Sequence, residues 1–203
     1  KLIQSDERGT HRYMPNSGFP KTRQYIAGML NDETGLSFGE NDIIMTAGAG
    51  GALNVIFKAL LNPGDEVIVF KPYFLEYNAY VNNYGGEIGA VKTREDFQLD
   101  FAALEEKLSV KTKAVLINSP NNPTGVIYSE EELAQLGQLL KHKSAEFGQA
   151  ISLISDEPYR RIVYETTAPS IFPHYENAIV ATSYSKDLAM PGERIGYIAI
   201  SPK

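Results

Sequence analysis

Short apolar runs alternate along the chain with longer stretches in which apolar residues recur every third or fourth position. The runs at Ile43–Thr46, Glu66–Phe70, Gly86–Lys92, Ala114–Asn118, Ile151–Ser155, Ala178–Thr182 and Ile195–Ile200 predict strands. The periodic stretches at Lys21–Leu30, Gly51–Leu61, Leu75–Tyr84, Phe101–Leu108 and Glu130–Phe147 predict helices. Ser129 followed by Glu132 has capping-box spacing, in which each side chain satisfies a free backbone N–H of the other's turn, so the last helix starts there. Glutamates 130 to 132 suit the positive end of a helix better than an acid–base pair. Strands alternating with helices imply βαβ units and hence an α/β fold: a three-layer α/β/α sandwich around a mostly parallel seven-stranded sheet.

Composition narrows this without choosing a function. A chain of 203 residues with 43% hydrophobic content can bury one sizeable core, so residues 1–203 are expected to form one domain, with 1–30 leading into it. A net charge of -6 and no long basic run exclude a nucleic-acid surface. No apolar run is long enough to cross a bilayer, and no secretory leader pattern is present. The chain has no cysteine, which rules out disulfides and thiolate metal sites and fits a reducing compartment; a soluble, cytoplasmic protein is expected. His11, His142 and His174 are too scattered to suggest a metal site. The chain opens on Lys1 without a methionine and stops just after an apolar strand, so it reads as part of something longer.

The unusual polar residues fall repeatedly just after the C-terminal ends of predicted strands, the edge along which open α/β sheets bind ligands. Thr46-Ala47-Gly48-Ala49-Gly50-Gly51 leads from strand to helix, and its small residues suit either a tight connection or a phosphate cradle at the helix end. Phe74, in Pro72-Tyr73-Phe74, follows the second strand, where an aromatic leading into a helix is ordinarily core. Asn122, in Asn118-Ser119-Pro120-Asn121-Asn122-Pro123-Thr124-Gly125, lies in a rigid turn from which its amide could meet a phenolate-type oxygen. Asp156 and Tyr159 follow the fifth strand; a carboxylate there needs a partner, either a basic side chain such as Arg160 or a protonated ring nitrogen of a ligand. Ser183-Tyr184-Ser185-Lys186 follows the sixth, with Arg194 beyond a Pro191-Gly192 turn. An amine, hydroxyls and a guanidinium at one strand end could serve a Schiff base and a phosphate monoester, or could be ordinary surface groups. Tyr77, Tyr80 and Tyr84 share helical spacing and read as packing residues.

Asn122-Pro123-Thr124-Gly125, Asp156-x-x-Tyr159, and Ser183-x-Ser185-Lys186 with Arg194-Ile195-Gly196-Tyr197 resemble, in order and separation, the motifs of the fold-type I pyridoxal-phosphate enzymes, specifically the class I/II aminotransferases similar to aspartate aminotransferase. The resemblance runs from about Tyr13 to Lys203. It implies the cofactor-binding large domain of such an enzyme, without the small domain that supplies an arginine for the substrate α-carboxylate. It further implies that Lys186 forms the Schiff base with pyridoxal 5'-phosphate and carries the substrate proton, and that Asp156 holds the ring nitrogen protonated. Tyr159 and Asn122 would hydrogen-bond the phenolic oxygen, Phe74 would stack on the ring, and Ser183, Arg194 and the backbone of Ala49 and Gly50 would hold the phosphate. Tyr13 matches a tyrosine that reaches the neighbouring subunit's phosphate, which implies a homodimer. The implied reaction moves an amino group between an amino acid and a 2-oxo acid; a β-lyase, or a ligand-sensing domain without catalysis, would share these motifs.

Overall fold

The computed structural model describes residues 13–202. His11, Lys203 and the start of the expected leading segment lie outside the described residues. The elements in chain order are α1 (Pro20–Thr34), β1 (Ile43–Ala47), α2 (Gly48–Leu60), β2 (Glu66–Lys71), α3 (Glu76–Asn82), β3 (Glu87–Lys92), α4 (Phe101–Lys107), β4 (Thr112–Asn118), α5 (Glu130–Phe147), β5 (Ser152–Asp156), β6 (Ala178–Ser183) and β7 (Ile195–Ile200). Every expected element is present. The boundaries move where the chemistry lies: β1, β5 and β6 each run one residue further than the apolar pattern suggests, to Ala47, Asp156 and Ser183. Backbone pairing carries them there, since Asp156 still sits opposite both Asn118 and Ala181 in the ladder. The second helix begins at Gly48 rather than Gly51, so the glycine-rich stretch is the helix's own first turn.

One seven-stranded sheet has the order β1-β7-β6-β5-β4-β2-β3. Its neighbours are parallel, except that β7 runs against both β6 and β1. From β2 the chain moves outward to β3 and then returns to the other side of β2, from where β4, β5 and β6 step the opposite way. The crevice beside the C-terminal ends of β2 and β4 is therefore the switch point at which open α/β sheets hold ligands.

Side-chain alternation along the strands feeds two cores. Ile68, Phe70, Val115, Ile117, Leu153 and Val180 face α1, α4 and α5, meeting Ile26, Leu30, Leu104, Leu133, Leu136 and Leu140. Val67, Val69, Ala114, Leu116 and Ile154 face α2 and α3, meeting Leu53, Ile56, Phe57 and Val81. Buried on both faces, the central strands read as near-continuous apolar runs, which is why they were legible. The Ser129 capping box opens α5, with Ser129 accepting from the Glu132 N–H at 3.2 Å and donating its own N–H to Glu132 at 3.1 Å. At Gly137, α5 lies directly on the backbone of His174, leaving no room for a Cβ.

Candidate active site

Asp156 ends β5 in the middle of the sheet and is 6% exposed. The Tyr77 hydroxyl donates to its Oδ2 at 2.7 Å, while Oδ1 is buried without a hydrogen-bond partner. Burial pushes this carboxyl up to about 7; the hydrogen bond from Tyr77 opposes the shift and the neighbouring Glu157 adds to it. The same burial, reinforced by Asp156, holds the Tyr77 phenol well above its usual range, so it stays a donor.

Arg160 is not the partner of Asp156. It pairs with Glu157 at 3.1 Å, and Glu157 is itself buried, with burial raising its carboxyl and Arg160 lowering it. The Glu157 backbone donates to Ala181 at 2.9 Å and accepts from the Thr182 hydroxyl at 2.9 Å, which locks the end of β5 to β6 just before Ser183. On the other side of β5, the Asn118 amide donates to the Asp156 carbonyl at 2.7 Å and its side-chain oxygen accepts the Asn122 N–H at 2.6 Å. One asparagine thus positions both the Asp156 backbone and Asn122, in the loop that follows β4.

Beyond β6 the chain turns through Lys186 and returns as β7, with the Tyr184 N–H donating to Ile195 at 3.0 Å. The Lys186 amine lies 5.7 Å from the centre of the Tyr159 ring, a cation–π distance. Arg194 enters β7 in the left-handed conformation, φ 53°, and its Nη1 donates to the Pro191 carbonyl at 3.0 Å. Its guanidinium lies against Gly48, the first residue of α2: a Cβ at Gly48 would come within 2.6 Å of Nη2, and φ there is +75°. Because β7 runs against its neighbours, its N-terminal residue reaches the edge where the parallel strands end. A cation thereby joins the free N–H groups of the α2 first turn, a combination that suits an anion.

These groups share one cleft of about 360 Å³, lined by Ala49, Gly50, Phe74, Asn122, Asp156, Tyr159, Ser183, Lys186 and Arg194 and also by Glu76, Tyr77, Tyr80 and Asn118. Its floor is buried at Asp156, Asn118, Tyr77 and Ser183, and its mouth is open at Lys186 and Arg194. Phe74 stands edge-on to Tyr77, with ring centres 5.6 Å apart. Tyr13 lies outside the cleft and is fully exposed. A larger hollow of about 720 Å³ beside Arg160, Arg161 and Thr166 contains none of the expected site residues.

From sequence, Tyr77 and Tyr80 read as packing residues and Asn118 only as part of a rigid turn. Tyr77 does pack, being 2% exposed, yet its hydroxyl is the one protein group bonded to the Asp156 carboxylate among those described. Helical spacing signalled that face but not its target, since sequence alone does not pair β4 with β5 or set α3 over them. No group of three His, Cys, Asp or Glu among the described residues is arranged to hold a metal, and no described helix is long and apolar enough to cross a membrane.

A profile of the family described as Aminotransferase class I and II matches residues 1–203. A probable aspartate aminotransferase of Methanocaldococcus jannaschii is 34% identical over 196 residues, covering 97% of this chain and 50% of the relative. The aspartate/prephenate aminotransferase of Thermus thermophilus is 37% identical over 201 residues, again 97% and 50%. Among solved structures, an amino transferase from Eubacterium rectale superimposes with a TM-score of 0.93 at 44% identity, over 98% of this chain and 51% of that one. Aspartate aminotransferase of Thermus thermophilus with maleate gives 0.85 at 36% identity, over 93% and 49%. The chain spans about half the length of the curated relatives it matches. With the whole chain covered by the profile, and two sets of relatives above 30% identity, this protein belongs to the class I and II aminotransferase family.

Proposed function

We propose that this chain is the cofactor-binding large domain of a pyridoxal-phosphate-dependent aminotransferase that moves an amino group between an amino acid and a 2-oxo acid. The observation that carries the reading is Asp156 Oδ1, a buried acceptor without a partner, on the floor of a cleft that also holds a lysine amine and, at a helix N-terminus, a guanidinium. A buried carboxylate oxygen left this way is costly unless a cationic or donating group meets it. The donor set fits the cofactor: an amine for its aldehyde, a carboxylate for its ring nitrogen, and a cation with free amides for its phosphate.

When bound, pyridoxal phosphate supplies an aldehyde carbon for amines and a pyridine ring that takes up the electron pair left at a substrate α-carbon. In this reading Lys186 would be the residue that anchors the cofactor, and its amine would hold and return the substrate α-proton. Asp156 would keep the ring nitrogen protonated through Oδ1, with Oδ2 held by Tyr77. The Tyr159 hydroxyl and the Asn122 side-chain amide would donate to the cofactor's phenolic oxygen, and the Phe74 ring would stack on it. Ser183, Arg194 and the backbone N–H groups of Ala49 and Gly50 would hold the phosphate. A homodimer, with Tyr13 reaching the partner's phosphate, belongs to the same reading, and sedimentation of the full-length protein tests it.

The direct test is borohydride reduction of the full-length protein loaded with pyridoxal phosphate, followed by peptide mass spectrometry. A phosphopyridoxyl adduct on Lys186, lost in Lys186→Ala together with amino transfer, is the expected result. An adduct that persists in that variant would defeat the assignment of the anchor.

A further inference from the structure

The anion-binding end of this cleft holds a side chain outside the family motifs. Tyr80, half-buried on α3, places its hydroxyl in the space that Gly50 leaves open: a Cβ at Gly50 would stand 2.9 Å from the phenol oxygen. Gly50 is in the first turn of α2, the turn on which the Arg194 guanidinium rests two residues earlier. Phenol, guanidinium and free helix amides therefore converge on one turn, and all line the cleft that contains the unpartnered Asp156 oxygen. That buried oxygen is the independent sign that a ligand enters here.

The Tyr80 hydroxyl donates to Glu76 Oε2 at 2.7 Å, one helical turn earlier on α3. Burial, with this hydrogen bond and the Glu76 charge behind it, pushes the phenol up to about 12, against the pull of Arg194. The oxygen thus keeps its proton at neutral pH and remains a donor. A hydroxyl proton swings about the C–O bond without moving any heavy atom. Glu76 is exposed, so water replaces the phenol at its carboxylate at little cost.

We propose that Tyr80 is a further phosphate-binding residue, turning its O–H from Glu76 to the anion when the cofactor enters. The proposal rests on the pyridoxal-phosphate reading above. It also assigns Gly50 a role beyond flexibility, since any side chain there would take the place of the phenol. If Tyr80 served only to brace α3 through an i,i+4 hydrogen bond, its loss would not discriminate between ligands with and without a phosphate.

The test is equilibrium binding of pyridoxal phosphate and of pyridoxal to the cofactor-free full-length protein, with inorganic phosphate as a competitor. Tyr80→Phe is expected to weaken pyridoxal phosphate binding about tenfold, the scale of one hydrogen bond to a charged group, and to weaken phosphate competition in parallel. Pyridoxal binding should stay within about twofold of wild type, which also reports that the variant folds. Glu76→Gln should bind pyridoxal phosphate at least as tightly as wild type, because it removes a carboxylate from beside the anion and leaves the phenol. Unchanged pyridoxal phosphate affinity in Tyr80→Phe, or equal losses for both ligands, would overturn the proposal while leaving the cofactor reading intact. Failure of the wild-type protein to bind pyridoxal phosphate would overturn both.

Discussion

The two oxygens of Asp156 have different surroundings, and the difference can be titrated. Oδ2 has Tyr77, and Oδ1 has no hydrogen-bond partner. The carboxyl rises from 3.8 to about 7, chiefly through burial. The folded state therefore holds the proton more tightly than the unfolded chain between those values. Stability from this group is fully present below the unfolded pKa and is lost as pH rises through the folded one. At 1.36 kcal/mol per unit, the loss is on the order of 4 kcal/mol. Denaturant unfolding of the cofactor-free protein from pH 4 to 8 is expected to show this decline, and Asp156→Asn to lose that part of it. Glu157, also raised by burial, contributes a slope of the same sign to both proteins, so the difference between the two curves reports Asp156 together with its coupling to Glu157. Equal slopes would mean that the carboxyl is wetter than the structure shows. Tyr77→Phe removes the one hydrogen bond that lowers this carboxyl, and should move the midpoint of the difference curve to higher pH.

Among the elements, α5 offers two tests with opposite naive expectations. Ser129→Ala removes the Ser129 half of the capping box, and a loss of about 1 kcal/mol is expected in the denaturation midpoint at unchanged slope. Gly137→Ala should gain up to about 1 kcal/mol by helix propensity alone. At this position, however, the new Cβ would collide with the His174 carbonyl and come 3.4 Å from the Tyr175 Cβ. Backbone cannot move aside as a side-chain tip can, so the variant is expected to be less stable by about 2 kcal/mol, steric cost outweighing propensity. A stabilised Gly137→Ala would show that helix and segment are not in contact in solution. Elements of this kind were readable because their signals are local: caps, periods of 3.6 and 2, turn residues. The ends that carry the chemistry were displaced because ladder pairing extends β5 and β6 through polar residues that an apolar pattern stops short of.

For the molecule as a whole, β4 and β5 occupy the centre of the sheet, and Ala114, Val115, Leu153 and Ile154 are fully buried. Their amides should exchange with solvent only through global unfolding, and more slowly than those of β3 at the edge. Faster exchange at Leu153 than at Ile88 would contradict the layer arrangement. Alternating strands and helices made the sandwich legible, and motif order made most of the cleft legible. The order of strands was not, because it depends on which edges pair across long separations. The reversal of β7 was also hidden, since a six-residue apolar run carries no direction. Tyr77 and Asn118 are not legible in the sequence because Asp156, which both of them bond, lies on another element, and Tyr80 is not because the Gly50 turn it faces is on α2.

The hairpin-like return from β6 to β7 makes the stretch between Tyr184 and Arg194 a spacer between two reactive ends. Both of its feet are clamped, one by the backbone bond from Tyr184 to Ile195 and the other by the contact of Arg194 with Gly48, while Leu188 and Ala189 between them are exposed. Inserting or deleting a residue at its crown would shift the amine relative to the guanidinium and leave the sheet register untouched. Length variation there is thus a route by which this scaffold could be retuned to a longer or shorter ligand without redesign of its core.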